Sequence, residues 1–150
     1  MRKLFTAVMA VLMVSVTVQF FLAASGASDS RSGGEAFDAH RGLGFVILLL
    51  ALVAVVIAVL VRAPGRVTTL TGTLVGLLLL QPILAGVSGA IDDSGGGSQA
   101  AGLVFGLHGV NGLAIAALIG VILKAARTGA AADDPSGPAV TTRGSGEDRP

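Results

Sequence analysis

The sequence predicts an all-α membrane protein, a four-transmembrane-helix up-down bundle, on three observations. More than half of its 150 residues are apolar and only 13% are charged, for a mean hydropathy of +0.84. The chain divides into four long stretches, each near the ~20 residues a helix needs to cross a hydrocarbon core of about 30 Å. The basic residues gather on one side of those stretches. Helices are the only open structures that satisfy their own backbone in lipid. The absence of cysteine excludes disulfides, thiolate metal sites and cysteine nucleophiles. A net charge of +1 is too small to point to nucleic acid as a partner.

The first span, about 4–24, follows the basic start Met1-Arg2-Lys3. That start, with the small residues from Ala24 to Ala27, also fits a signal peptide. Signal cores run to ~7–15 apolar residues, whereas this one is longer and carries Gln19, so it reads as a retained helix. The second span, 42–61, lies between Arg41 and Arg62. Ser32-x-x-Glu35 resembles a capping box that starts this helix near Gly33 and puts His40 about two turns inside it. The third span, 67–90, contains Gly72-x-x-x-Gly76, a close-packing pattern. Pro82 is expected to kink it just after Gln81, freeing carbonyls that need partners in the bundle. The fourth span, 101–123, is expected to be capped by Ser98, which puts His108 nearly three turns inside.

Together the spans make one transmembrane domain over 1–127. The stretch 128–150, polar and rich in Pro and Gly, reads as a disordered cytoplasmic tail. No internal repeat stands out, and there is no nucleotide-binding or protease motif. With the N-terminus inside, Arg2, Lys3, Arg62, Arg66, Lys124, Arg127, Arg143 and Arg149 are cytoplasmic, and only Arg31 and Arg41 are outside. This positive-inside bias places both termini in the cytoplasm of a bacterial cell, in its plasma membrane.

Polar groups inside a membrane are costly and mark sites, and here they agree in depth. Gln19, His40, Arg41, Gln81, His108 and Asn111 all fall in the outer halves of their spans. His40 shares a helical face with Gly44, Ile47, Ala51, Ala54 and Ala58, a small-residue face that should point inward. On the fourth helix, Gly102, Gly106 and Gly109 form a stripe expected to be the packing seam, with His108 at its border. The second and fourth helices should stand diagonally across the bundle.

Two neutral imidazoles facing across a bundle can ligate one haem iron. This reading makes His40 and His108 metal ligands to a haem b. Arg41 is placed to meet a propionate, and Gln19, Gln81 or Asn111 to orient an imidazole or receive a propionate. Zinc fits less well, since structural sites want four ligands, usually with cysteine. A proton path fits poorly, because no carboxylate lies within a span. The other reading makes His40 an interfacial residue and His108 a hydrogen-bonded interhelical contact to Gln19 or Gln81, worth roughly 1 kcal/mol. On the residues alone the two stand level. The first gives a small cytochrome for electron transfer or haem handling, with a quinone or redox protein as partner. The second gives a cofactor-free structural or accessory membrane subunit. An enzyme acting on haem is the weaker expectation.

The order "AHRGLG" heading one span, "LLQPILAGVSGA" ending the next and "GLHGVNGLA" opening the last resembles one four-helix half of the haem A synthase family. The chain also looks like small, uncharacterised actinobacterial four-helix membrane proteins. The first resemblance covers about Gln19 to Ala117 and implies His40 and His108 as axial haem ligands. It also implies a second half, which a homodimer would supply. Phe37 stands where the family's catalytic half carries a glutamate, and the family's outer-loop cysteines are missing. Both differences argue against haem hydroxylation.

Overall fold

The computed structural model describes residues 2–30, 33–95 and 98–132. In chain order these form α1 (Arg2–Ala27), the one-turn α2 (Gly33–Ala36), α3 (Asp38–Leu60), α4 (Gly65–Gly95) and α5 (Gln99–Ala132). All but α2 are long and apolar enough to cross a membrane, so the fold is the expected all-α four-helix bundle of a multi-pass membrane protein. Arg31, Ser32 and residues 133–150, with Arg143 and Arg149, lie outside the described residues.

The helix ends follow local chemistry. Ser98 Oγ accepts the Ala101 N–H at 3.1 Å, the expected cap of α5. At the other end of the bundle, α3 closes with Ala63 N–H on Ala58 O at 2.9 Å and Arg62 N–H on Val59 O at 3.0 Å. That 6→1 and 5→2 pair puts Arg62 at φ 50°, in the left-handed region usually given to glycine. Pro64 then prevents the helix from resuming.

One boundary differs from expectation. The helix at Gly33 stops after a turn, and α3 begins afresh at Asp38. Phe37, at φ −105° and ψ 9°, interrupts the run and offers no side-chain cap. Its ring lies so close over Gly26 of α1 that a Cβ there would sit 2.9 Å from it. His40 is therefore in the first turn of α3, not two turns inside a longer helix.

Each long helix packs on two others. α1 and α4 each touch α3 and α5, leaving α3 and α5 diagonally opposed as expected. The core is Phe5, Met9, Leu12 and Val16 of α1, Ile47, Ala51, Ala54 and Ala58 of α3, Val67, Leu74 and Leu78 of α4, and Ile115, Ile119 and Ile122 of α5. The small alanine row of α3 and the larger isoleucine row of α5 both belong to this core. The His40 face thus points inward as its small residues imply.

The glycine stripes do not. A Cβ added at Gly72, Gly76, Gly102, Gly106 or Gly109 would meet nothing within 4 Å. Within this chain neither Gly72-x-x-x-Gly76 nor the α5 stripe is a packing seam. The seam of α5 is instead Asn111, Ile115, Ile119 and Ile122, all buried, with His108 one turn above on the same face. Interlocking of large side chains outweighs close backbone approach here.

The bundle also has an internal two-fold relation that the sequence did not announce. Exchanging α1 with α4 and α3 with α5 leaves the pattern of helix contacts unchanged. Superimposing Gln19 on Gln81 carries every buried position of α1, namely Phe5, Met9, Leu12, Val16 and Gly26, onto a buried position of α4: Val67, Thr71, Leu74, Leu78 and Ser88. Superimposing His40 on His108 carries buried Ile47, Ala51 and Ala54 onto buried Ile115, Ile119 and Ile122. Each half is a pair of helices that turns one glutamine and one histidine, Gln19 with His40 and Gln81 with His108, to a common cavity.

Candidate functional site

His40 and His108, from diagonal helices, meet on the bundle axis with ring centroids 6.2 Å apart and planes at 52°. The sequence left their relative depth open. The rings are level because α5 begins farther out than α3, so the tenth residue of one helix meets the third of the other.

Each imidazole is held in the same way. His40 Nδ1 lies 3.1 Å from the main-chain carbonyl of Gln19, and His108 Nδ1 lies 3.1 Å from that of Gln81. A carbonyl oxygen only accepts, so each Nδ1 carries the proton and donates it. Both Nε2 atoms are left with a free lone pair, the tautomer a metal-ligating histidine needs. Glycine follows each histidine by one turn and leaves room beside the two glutamines. A Cβ on Gly44 would stand 3.2 Å from Gln19 Nε2, and one on Gly112 would stand 3.4 Å from Gln81 Nε2. A phenylalanine precedes each histidine by three. Phe105 stacks on His108 at 5.6 Å and 5°, while Phe37 meets His40 edge-on at 6.2 Å and 83°.

The shared unit is thus F-x-x-H-x-x-x-G-x-x-I, present from Phe37 to Ile47 and from Phe105 to Ile115. Sequence reading noted Gly44, Gly112 and Phe37 separately but neither Phe105 nor the shared spacing, which aligning the chain on its only two histidines exposes.

The halves differ in instructive places. Asn111 follows His108 by three, and Leu43 holds that place after His40. Asn111 Nδ2 donates to Leu77 O at 2.8 Å and to Gln81 Oε1 at 3.1 Å. The stretch Leu77–Gln81 just precedes Pro82, which lies inside the continuous helix α4 and withholds the N–H that Leu78 O would use. Asn111 and His108 bond the carbonyls that flank this point, Leu77 O and Gln81 O, and not Leu78 O itself. In the other half Phe20 takes the proline's place, and Gln19 Nε2 donates to His40 O at 2.7 Å. Gln19 Oε1 is buried without a partner. Arg41 lines the site, but its guanidinium is engaged by Asp38 at 2.5 Å and by the Gly34 carbonyl.

Around the two rings lies a cavity of about 750 Å³, walled by Val16, Phe20, Ile47, Leu78, Pro82 and Ile115 among others. That is within the range of pockets for medium-sized organic ligands, and its lining is largely apolar apart from Gln19, His40, Arg41, Gln81 and His108; Asn111, the sixth predicted residue, is buried behind Gln81 and does not line it. Two imidazoles with centroids 6.2 Å apart, each with a free Nε2 in a largely apolar cavity, form a donor set that would fit one metal centre carried by an apolar cofactor. It does not suit a bare ion, since the described residues contain no cluster of three or more His, Cys, Asp or Glu side chains that could hold one.

Residues 19–89 match a family described only as of unknown function, DUF6220. That segment takes in Gln19, His40, Arg41 and Gln81 and stops before His108. No curated protein and no solved structure matches the chain. By these comparisons the chain is similar, from Gln19 to the last turns of α4, to an uncharacterised family.

Proposed function

We propose that this protein binds one haem b between His40 and His108 and works as a small membrane cytochrome, in electron transfer or haem handling. The observation that carries the reading is the pairing itself: two imidazoles 6.2 Å apart, each with Nδ1 committed to a backbone carbonyl, in one apolar cavity. When bound, the haem would supply a one-electron couple, with low-spin iron favoured by two nitrogen ligands. The protein's part is orientation and exclusion of water. Gln19 and Gln81 fix the tautomers through their carbonyls, Asn111 braces the His108 side, and Gly44 and Gly112 admit the glutamine side chains. Arg41 would serve a propionate by releasing Asp38.

The basic residues gather at the opposite end from the histidines, which supports a bacterial plasma-membrane protein with both termini cytoplasmic and the site towards the outer leaflet. A single haem at that depth cannot carry electrons across the bilayer alone, so a quinone or a redox protein would complete the path. Homodimerisation would restore the two-half arrangement that the haem A synthase resemblance implies.

The second reading, a cofactor-free structural or accessory subunit, draws on the same histidine–carbonyl bonds as interhelical contacts. It accounts for one nitrogen of each ring but not for the space around the other. A reduced-minus-oxidised visible spectrum of the purified protein, expressed with ample haem, separates the two. A sharp low-spin b-type signal, lost or turned high-spin in both His40→Ala and His108→Ala, is expected. A colourless, folded wild type would reject the haem reading in favour of the second.

A further inference from the structure

We infer that the two axial imidazoles are unequal, and that His40 is the displaceable one, yielding its coordination position to a small neutral ligand while His108 stays. This rests on the haem reading above and concerns how the chain holds the two rings. By register they are equivalent; by support they are not.

His108 is the tenth residue of a helix whose first turn is capped by Ser98. Phe105 lies flat against its ring. One turn below, buried Asn111 ties α5 to α4 through Leu77 O and Gln81 Oε1. Moving His108 would mean unwinding the middle of a transmembrane helix and orphaning those polar groups in an apolar interior.

His40 is the third residue of α3. Its helix opens on Phe37 with no side-chain cap, so the first-turn N–H groups lack the partner that a capped helix has. The preceding α2 is one turn of GGEA, with two poor helix formers. Leu43 stands where the other half has Asn111, leaving Gln19 Oε1 without a donor. The corner rests on α1 through the Gln19 contacts and through Ala36 and Phe37 packed on Gly26, while Arg41, bonded to Asp38 and the Gly34 carbonyl, joins α2 to α3 within the corner itself. The Arg41–Asp38 pair is exposed (side chains 52% and 71%), the kind of ion pair that contributes little. Opening free energies are lowest at helix ends with such exposed ties. The α2–α3 corner can therefore swing away with His40 while the bundle below stays packed.

The test uses the full-length haem-loaded protein in detergent, reduced with dithionite and mixed with carbon monoxide, read by visible absorption. The wild type is expected to show the bis-His spectrum first and then to take up carbon monoxide slowly, at a rate set by His40 release. Asp38→Asn should leave the starting spectrum unchanged and, by loosening α2 on α3, speed uptake about twofold, the worth of one exposed ion pair on a helix. Leu43→Asn, which offers Gln19 Oε1 its missing donor, should slow uptake by a similar factor. His40→Ala should keep its haem and bind carbon monoxide at once, whereas His108→Ala should lose most of its haem. A bis-His wild type that takes up no carbon monoxide would overturn the inference while leaving the haem reading intact. So would the reverse ranking of the two histidine variants, or rates unmoved by Asp38→Asn and Leu43→Asn together. A wild type with no haem signal would instead reject the haem reading itself.

Discussion

Replacing Asn111 by leucine makes the second half of the bundle copy the first, where Leu43 holds the equivalent place. The change removes two interhelical hydrogen bonds, at 2.8 Å to Leu77 O and 3.1 Å to Gln81 Oε1. Within membranes such bonds average about 0.6 kcal/mol and reach about 1.7 kcal/mol, so the pair is expected to cost about 1 kcal/mol. The first half shows that a glutamine oxygen left without a donor is tolerated there, which argues against a larger loss. With no Trp or Tyr in the chain, unfolding is best followed by far-UV circular dichroism during detergent titration. A double-mutant cycle with Gln81→Met isolates the side-chain bond, because His108 uses only the Gln81 main-chain carbonyl, and should return a coupling of about 0.6 kcal/mol. An unchanged midpoint for Asn111→Leu, or full additivity with Gln81→Met, would refute the bracing role given to Asn111.

Three further outcomes follow from contacts at single residues. Gly26→Ala puts a Cβ 2.7 Å from the Ala36 carbonyl oxygen, a backbone atom that must move; the α2–α3 corner should shift and the haem-loaded protein should turn from low-spin to high-spin in its visible spectrum. Gly72→Ala and Gly76→Ala, by contrast, meet open space and should stabilise the monomer by about 0.5–1 kcal/mol each through better helix propensity; a shift towards lower mass in analytical ultracentrifugation would instead reveal that this face joins two copies. Ala54→Leu overfills a position with no exposure and should destabilise by about 1–3 kcal/mol in the same unfolding assay.

The sequence by itself determined the four spans, because long charge-free stretches have one stable solution in lipid. It also determined the inward face of α3, whose alanine row is distinctive among bulkier residues, and picked out six polar residues, five of which line one cavity, since polar groups are rare enough in a span to be found by inspection. Which glycines pack was not legible. In a helix apolar all round, a glycine stripe that borders a cavity, as Gly106 and Gly109 do, looks the same as a stripe packed on a neighbour, because both surroundings are apolar. The two-fold relation was also hidden, because Met9 and Thr71, or Ala51 and Ile119, share burial but not chemistry, and the two halves join their helices by connections of unequal length. The break at Phe37 came from its contact with Gly26, a residue of another helix.

Tertiary structure alone decided what holds the imidazoles. Their Nδ1 partners are the main-chain carbonyls of Gln19 and Gln81, and since every residue has such a carbonyl, no side-chain pattern can announce which one a histidine will find. It also decided that the third residue of one helix and the tenth of another lie level, since depth along a bundle depends on how far each helix rises before the chain turns, and only the packed helices fix that.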